Sequence, residues 1–178
     1  MAPAFARSVA SFKRIRMGPA RGGFSMTAGR MPVHPGWLGA IRRYLVAVGF
    51  GNLIWEMAQL PLYTLWRTES VGSLWRAVLH CTAADVAIAT VMLVIVLAIV
   101  GNAKWPNERS LAVAVVVIAG GAAYTMGSEY LNTVVRQTWA YTEWMPTLPW
   151  IGTGLAPLAQ WLAVPAAAFV FVRRGARH

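Results

Sequence analysis

Four apolar segments of membrane-spanning length alternate with polar connections along this chain. They cover residues 44–66, 77–100, 110–131 and 155–172. A helix needs about 20 predominantly apolar residues to cross the hydrocarbon layer of a bilayer. The pattern therefore predicts an all-α, polytopic membrane protein built as a bundle of four transmembrane helices.

Prolines and aromatic residues refine the boundaries of these segments. Pro61 stands near the end of the first segment, where we expect it to kink the helix and to free a carbonyl group that needs another donor. Pro157 and Pro165 both fall within the fourth segment, which is also the shortest. Residues 132–153 form a longer connection rich in aromatic side chains, and we expect it to cover one end of the bundle.

Residues 1–36 differ in character from the rest of the chain. They contain six basic residues among Ala, Ser, Gly and Pro, and no Asp or Glu. We predict a disordered basic N-terminal tail over residues 1–36, followed by one four-helix transmembrane domain over residues 37–178. A transit peptide has a similar Arg-rich, Ser-rich and acid-poor composition. That alternative stays open, as does the retention of the tail in the mature protein.

The composition agrees with a lipid bilayer as the main solvent. Of the 178 residues, 57% are hydrophobic and 12% are charged, whereas about a quarter of the residues in soluble domains are charged. The net charge of +10 does not indicate nucleic-acid binding, because the basic residues flank the apolar segments and no soluble basic module remains. The single cysteine, Cys81, excludes an intramolecular disulfide and a multi-cysteine metal site.

The distribution of Lys and Arg predicts the orientation of the spans. Thirteen of the 16 basic residues lie before residue 44, within the connection 101–109, or after residue 172. Cytoplasmic flanks carry an excess of Lys and Arg, so we predict a multi-pass protein of the cell inner membrane with both termini in the cytoplasm. Tryptophans are expected at the two interfaces: Trp66, Trp75, Trp139, Trp144 and Trp150 on the outer side, and Trp37 and Trp105 on the inner side.

Polar and ionisable residues inside the spans form the candidate site. A charged side chain near the bilayer centre costs at least a few kcal/mol, so such residues generally face the bundle interior and mark function. Helical spacing places several of them on one face, and the alternating direction of the spans brings the others to the same outer level. We predict one polar pocket open to the periplasm and lined by Asn52, Glu56, Gln59, His80, Asp85, Glu129 and Gln160.

This set of side chains leaves several chemistries open. His80, Glu56 and Asp85 form an adequate ligand set for a divalent transition metal, although a metal-binding spacing such as HExxH is absent from the sequence. The same residues suit a proton-coupled site, or an acid–base pair acting on a lipid or isoprenoid. The amide side chains also suit a purely structural part as hydrogen-bonding groups between helices.

Three sequence elements carry a resemblance to known proteins. These are WEMAQLPLYTLW, LHCTAADV and WAYTEWMPTLPWIGTGLAPLAQW. With them the chain resembles a family of small bacterial four-span inner-membrane proteins that has no assigned activity. The resemblance implies an inner-membrane location and a joint importance of Glu56, His80, Asp85, Glu129 and Gln160.

These observations lead to one main functional hypothesis and two alternatives. In the main hypothesis the periplasmic pocket binds a metal ion, a proton or a small polar ligand, with a role in transport. In the first alternative the chain is an accessory subunit or assembly factor, whose polar faces pair with a membrane-protein partner or a second copy. In the second alternative it is a membrane enzyme acting on a lipid or isoprenoid, so whether the chain is an enzyme stays open.

Overall fold

The structure is a computed structural model, and it describes residues 35–176. The predicted basic tail falls outside these residues, except that Pro35 and Gly36 already belong to the first helix. The described part contains five α-helices and no β-strand: α1 (Pro35–Gln59), α2 (Leu65–Thr68), α3 (Val71–Ile99), α4 (Ser110–Tyr130) and α5 (Leu155–Gly175). A 3-10 turn (Leu60–Leu62) follows α1, and a π-helical turn (Leu131–Val135) extends α4.

Four of the helices, α1, α3, α4 and α5, are long and apolar enough to cross a membrane. Their outward surfaces carry large apolar side chains, among them Phe50, Ile54, Ile99 and Leu111, which are more than half exposed. A bundle in water would bury such residues, whereas a bilayer solvates them. The predicted fold class, an all-α polytopic membrane bundle of four spans, is confirmed.

The four long helices form a closed ring of neighbours. α1 packs against α3 and α5, and α4 packs against the same two helices. One end of the bundle carries the connection 60–70 and the connection 136–154, and we call it the aromatic end. The opposite end carries the connection 100–109 and the two ends of the described chain, and we call it the terminal end.

The apolar core lies toward the terminal end and is packed from all four helices. Tyr44 of α1 is fully buried and meets Phe169 of α5 with ring centroids 4.9 Å apart. Leu93 of α3 and Val113 of α4 complete this cluster. The buried polar residues Asn52, Glu56, Gln59, Glu129 and Gln160 lie in the other half of the same helices.

Small residues allow the helices to approach closely in the middle of the bundle. Gly121 of α4 lies directly against the indole of Trp161 of α5, where a Cβ atom would overlap the ring. Gly120 lies in the same way against Met92 of α3. Glycine is therefore required at position 121 by packing, since the indole is a rigid neighbour and cannot move aside as easily as a methionine side chain.

The first span ends earlier than predicted. Its α-helix stops at Gln59 rather than continuing to residue 66, and Pro61 lies in the following 3-10 turn. Proline lacks the amide hydrogen that an α-helix would use and its ring clashes with the preceding turn. The backbone carbonyl of Pro61 itself accepts a hydrogen bond from the Thr142 hydroxyl at 3.2 Å, which ties this turn to the aromatic connection.

The fourth span is present despite its two prolines. Pro157 occupies the first turn of α5, where a backbone amide has no helical partner in any case. Pro165 lies inside α5 and is buried, and the helix continues past it to Gly175. The span is thus a few residues longer than the segment predicted from the sequence.

The aromatic connection closes over the chain that follows α1. The Thr64 amide donates to the Ala140 carbonyl at 2.9 Å. The Arg67 guanidinium pairs with the Glu143 carboxylate through two contacts of 2.5 and 3.1 Å, and it also lies over the Trp144 ring. These contacts join the two connections of the aromatic end into one cover.

The tryptophans follow the predicted interfaces only in part. Trp66, Trp75, Trp144 and Trp150 are exposed at the aromatic end, as expected for an interfacial belt. Trp105 was expected at the other interface, but it is only 2% exposed and packs edge-on against Trp37 at 6.0 Å. The prediction for Trp105 is wrong, because this residue is buried in the core at the terminal end instead of facing the headgroups.

Candidate functional site

The inward face of α1 changes from apolar to polar along its length. Tyr44 and Val48 are buried in the core, and Asn52, Glu56 and Gln59 continue the same face toward the aromatic end. Residues spaced by three or four positions share one side of a helix, so α1 presents three polar side chains in succession to its neighbours. Each of the three is at most 9% exposed.

Gln160 of α5 lies at the centre of the polar residues. Its Nε2 atom is 3.1 Å from Asn52 Oδ1, 3.0 Å from Glu56 Oε1 and 2.9 Å from Asp85 Oδ2. One amide group therefore bridges α1, α3 and α5. With an exposure of only 2%, Gln160 makes these contacts away from water.

Gln59 adds a second amide to this group. Its Nε2 donates to Glu56 Oε1 at 2.9 Å and to Gln160 Oε1 at 3.2 Å. Its own Oε1 atom is buried and has no hydrogen-bond partner among the described residues. The name carboxyl–amide network is used below for these five side chains: Asn52, Glu56, Gln59, Asp85 and Gln160.

The network holds two carboxyl groups without a basic partner. Glu56 and Asp85 both contact Gln160 Nε2, which keeps their contacting oxygens within about 6 Å of each other. Across residues 35–176 the ion pairs are Arg67–Glu143 and Lys104–Glu108, and both lie in connections. Two adjacent carboxylates in a medium of low dielectric constant repel each other strongly. The pair therefore carries one negative charge at most, unless a cation joins it.

A second polar group lies between the network and the aromatic end. The Tyr141 phenol donates a hydrogen bond to the Glu129 carboxylate and accepts one from the Gly154 amide at 3.1 Å. The Tyr141 ring also packs against Tyr63, with centroids 5.4 Å apart. We call Tyr63, Glu129 and Tyr141 the outer cluster.

Electrostatic effects connect the outer cluster with the network. Burial raises the pKa of Tyr63 well above its usual range, and the carboxylates of Glu129 and Glu56 raise it further. Burial raises the pKa of Tyr141 as well, together with its hydrogen bond to Glu129. Tyr63 thus lies within electrostatic range of carboxyl groups on both sides, one in the outer cluster and one in the network.

The structure does not bring His80 to the other predicted site residues. His80 lies on the exposed side of α3, and no hydrogen bond of the described residues involves its ring. His80 and Asp85 are five positions apart, which turns their side chains about 140° away from each other around the helix axis. Asp85 faces the bundle interior and His80 therefore faces outward.

The proposed metal-ligand set of His80, Glu56 and Asp85 is accordingly not assembled. Among residues 35–176, no group of three or more His, Cys, Asp and Glu side chains is arranged to hold a metal ion. Cys81 is half-buried, one turn from Asp85, and the carboxyl groups of Glu56, Asp85 and Glu129 lie within electrostatic range of its thiol. Cys81 therefore lies beside the network and is not part of an assembled ligand set among the described residues.

Six of the seven predicted site residues lie together in the structure, and one residue of the outer cluster was not predicted. Asn52, Glu56, Gln59, Asp85 and Gln160 meet in the network, and Glu129 lies in the outer cluster near it. Whether these residues bind a ligand stays a prediction. Tyr141 was overlooked, because its position over Glu129 depends on the course of the connection 136–154, which has no helical periodicity to read.

Comparisons with known proteins add no further information on this site. No protein-family model matches the chain, and neither curated proteins nor solved structures give a significant match. The resemblance to small bacterial inner-membrane proteins therefore stays a prediction. What the chain itself establishes is a multi-pass membrane bundle of four helices with a buried carboxyl–amide network.

Proposed function

We propose that this chain is a proton-binding membrane protein with a role in transport, and that the carboxyl–amide network is its proton site. The observation that carries the proposal is the contact of Glu56 and Asp85 with one amide nitrogen of Gln160, with no basic side chain in the network. A pair of acids in this setting holds a proton in common, and such intramembrane acids form the proton relays of pumps and transporters.

The amide groups suit this task because they stay neutral. A basic partner would hold both carboxylates in the ionised form and would prevent proton uptake. Gln160 and Gln59 instead stabilise a carboxylate by donating hydrogen bonds, at 2.9–3.0 Å, without adding charge. The network can therefore gain or lose a proton with only a small rearrangement of its hydrogen bonds.

The orientation of the chain completes the proposal. The basic flanks of the terminal end favour a cytoplasmic location of that end, in the inner membrane of a bacterium. The aromatic end then faces the periplasm, and the outer cluster lies on the route from the periplasm to the network. Glu129, which is buried yet hydrogen-bonded to the phenol of Tyr141, is placed to pass protons along this route.

The proposal is tested by infrared spectroscopy of the full chain reconstituted in lipid. The carbonyl-stretch band of protonated carboxyl groups is recorded during a pH titration of the wild-type protein and of Glu56→Gln and Asp85→Asn. We expect a band that titrates in the wild type and that is altered in both variants. Glu143→Gln is the matched control, because Glu143 is exposed and pairs with Arg67 in the connections of the aromatic end. An identical titration in all four proteins would contradict the proposal.

Transport is examined separately with the same four proteins in liposomes. A pH-sensitive dye inside the liposomes reports proton entry after a pH step. We expect faster entry with the wild type and Glu143→Gln than with Glu56→Gln or Asp85→Asn. Equal rates for all variants and for empty liposomes would remove the transport role and leave proton binding alone.

A second candidate function, a membrane enzyme acting on a lipid or isoprenoid, is favoured by one further feature. An apolar groove of about 490 Å³ opens on the side of the aromatic end. Its wall includes Met57, Leu60, Trp66, Leu74, Trp75 and Val78. Turnover of a bacterial lipid extract by the wild type and by Glu143→Gln, but not by Asp85→Asn, would favour this candidate over the proton site.

The accessory-subunit alternative draws less support from the geometry. Polar side chains that pair with a partner helix must face outward, whereas Asn52, Gln59 and Gln160 are at most 5% exposed and bond to one another. Co-purification of a membrane partner that is lost in Gln160→Ala but kept in Glu143→Gln would still favour this alternative.

A further inference from the structure

The carboxyl–amide network contains more oxygen acceptors than its amide hydrogens can serve. Gln160 Nε2 carries two hydrogens but faces three oxygens, those of Asn52, Glu56 and Asp85, at 2.9–3.1 Å. Three oxygens on two helices thus surround the Gln160 Nε2 atom inside the bundle.

A second and independent observation is that the oxygen of the buried Gln59 amide lacks a hydrogen-bond donor. Gln59 is only 5% exposed, and its nitrogen reaches two members of the network, so its amide group lies inside the network. Its oxygen nevertheless has no partner in the described part of the chain. Buried amide oxygens are rarely left without a donor or a cation, because the desolvation of such an atom costs about 1–3 kcal/mol.

The chemical type and the charge of these groups indicate which cation the network would bind. Carboxylate and amide oxygens are hard ligands that suit hard cations rather than copper or zinc. When the carboxyl pair in its singly ionised form releases its shared proton, the charge of the network changes from −1 to −2. A single monovalent cation restores the charge of −1, whereas a divalent cation would change it to zero.

We propose that the carboxyl–amide network binds a small monovalent cation of the Na⁺ type in exchange for its proton. The inference rests on the proposed function, since it names the ion that replaces the proton at the same site. One proton leaves the carboxyl pair for the periplasmic water and one cation enters, so the charge balances. Rotation of the Gln160 amide by half a turn presents its oxygen in place of its nitrogen and supplies a fourth ligand atom. The Gln59 amide rotates with it, because its Nε2 now donates to Gln160 Oε1, and the rotation gives the unpartnered Gln59 Oε1 a donor.

The ionisable groups within electrostatic range of this position come from three helices and from the residue after the 3-10 turn. They are Glu56 of α1, Tyr63 after that turn, Cys81 and Asp85 of α3, and Glu129 of α4. α5 contributes Gln160, which does not titrate. Glu129 and Tyr141 lie between the network and the aromatic end, and we expect them to affect how fast the cation enters rather than how tightly it binds.

The exchange is tested on the full chain in lipid nanodiscs by adding NaCl at constant ionic strength, with choline chloride as the replaced salt. A dye in weakly buffered solution reports released protons, and thermal unfolding reports the change in Tm. We expect about one proton released per cation bound and a rise of Tm by several degrees that is larger at high pH. In Asp85→Asn and Glu56→Gln we expect the affinity for Na⁺ to fall at least about tenfold, whereas Glu143→Gln retains it.

The possible outcomes separate this inference from the proposed function. If the infrared titration of the carboxyl pair is observed but Na⁺, Li⁺ and K⁺ all leave Tm and the proton signal unchanged, the cation inference is overturned and the proton site remains. If neither the infrared band nor the cation response depends on Asp85, both are overturned. Binding of Ca²⁺ or Mg²⁺ with no response to Na⁺ would also overturn the inference, since its charge argument requires a monovalent ion.

Discussion

Tyr141 donates a hydrogen bond to the carboxylate of Glu129 and so ties the aromatic connection to the last turn of α4. The two residues are 12 positions apart, and the Gly154 amide holds the same phenol from the start of α5. Tyr141 is therefore a junction between two spans and the cover above them.

The first prediction concerns this junction. Tyr141→Phe removes the phenol while keeping the ring that packs on Tyr63, so the carboxylate of Glu129 is left buried without its donor. We expect the free energy of unfolding to fall by about 1–3 kcal/mol, measured by denaturant titration in mild detergent. Tyr130→Phe serves as the control, since Tyr130 is exposed at the end of the same helix. Equal losses in the two variants would show that the hydrogen bond contributes nothing.

The second prediction tests whether Glu56 and Asp85 act as one unit. Both contact Gln160 Nε2, so replacement of one carboxyl changes the surroundings of the other. In a double-mutant cycle of Glu56→Gln and Asp85→Asn we expect a coupling free energy of about 0.5–3 kcal/mol. The measurement is the unfolding free energy of the wild type, both single variants and the double variant. Additive effects would mean that the two acids are independent.

His80 supplies a matched comparison for this cycle. It lies on α3 like Asp85 but on the exposed side of the helix. In a cycle of Glu56→Gln with His80→Ala we expect additivity within about 0.5 kcal/mol. A coupling as large as that of the two acids would place the imidazole in the network and revive the metal-ligand hypothesis.

The fold was predictable because helical periodicity and span length are local properties of the sequence. Asn52, Glu56 and Gln59 could be placed on one face from their spacing alone, and the antiparallel order of spans then brought Gln160 to the same level. The face of α3 was harder to assign, since only tertiary packing decides whether the helix turns Asp85 or His80 inward.

Two further features lay beyond periodicity. The end of α1 at Gln59 depends on how Pro61 is accommodated, and the donor for its carbonyl, Thr142, comes from a distant connection. The burial of Trp105 likewise depends on Trp37, with which it forms an edge-on pair. The sequence around a tryptophan near a predicted membrane interface does not show whether its side chain faces the lipid headgroups or is buried in the core.

The third prediction concerns the pH dependence of the cover at the aromatic end. The hydrogen bonds from Arg67 lower the pKa of Glu143. A carboxyl whose folded pKa is lowered contributes stability that is present above its unfolded pKa and is lost as the pH falls through the folded pKa. We expect Glu143→Gln to be slightly less stable than the wild type at neutral pH, and the two to converge in acid. Thermal unfolding across this pH range measures the difference.

Salt provides the check on that interpretation. Both partners of the Arg67–Glu143 pair are substantially exposed, with side chains at 46% and 62%. An exposed ion pair is screened by salt, so the difference between Glu143→Gln and the wild type should shrink at high ionic strength. A difference that persists in high salt would indicate that Glu143 acts through packing instead of charge.

The fourth prediction concerns the close approach of α4 and α5. A Cβ atom at position 121 would overlap the Trp161 indole, whereas a Cβ atom at Gly127 would meet nothing within 4 Å. We expect Gly121→Ala to lower the unfolding free energy by about 1–3 kcal/mol and Gly127→Ala to change it by at most about 1 kcal/mol. Because Trp161 follows Gln160 directly on α5, displacement of the indole should also disturb the network. The infrared carboxyl band should therefore shift in Gly121→Ala and stay unchanged in Gly127→Ala, and the same band in both would show that the network is insulated from the helix contact beside it.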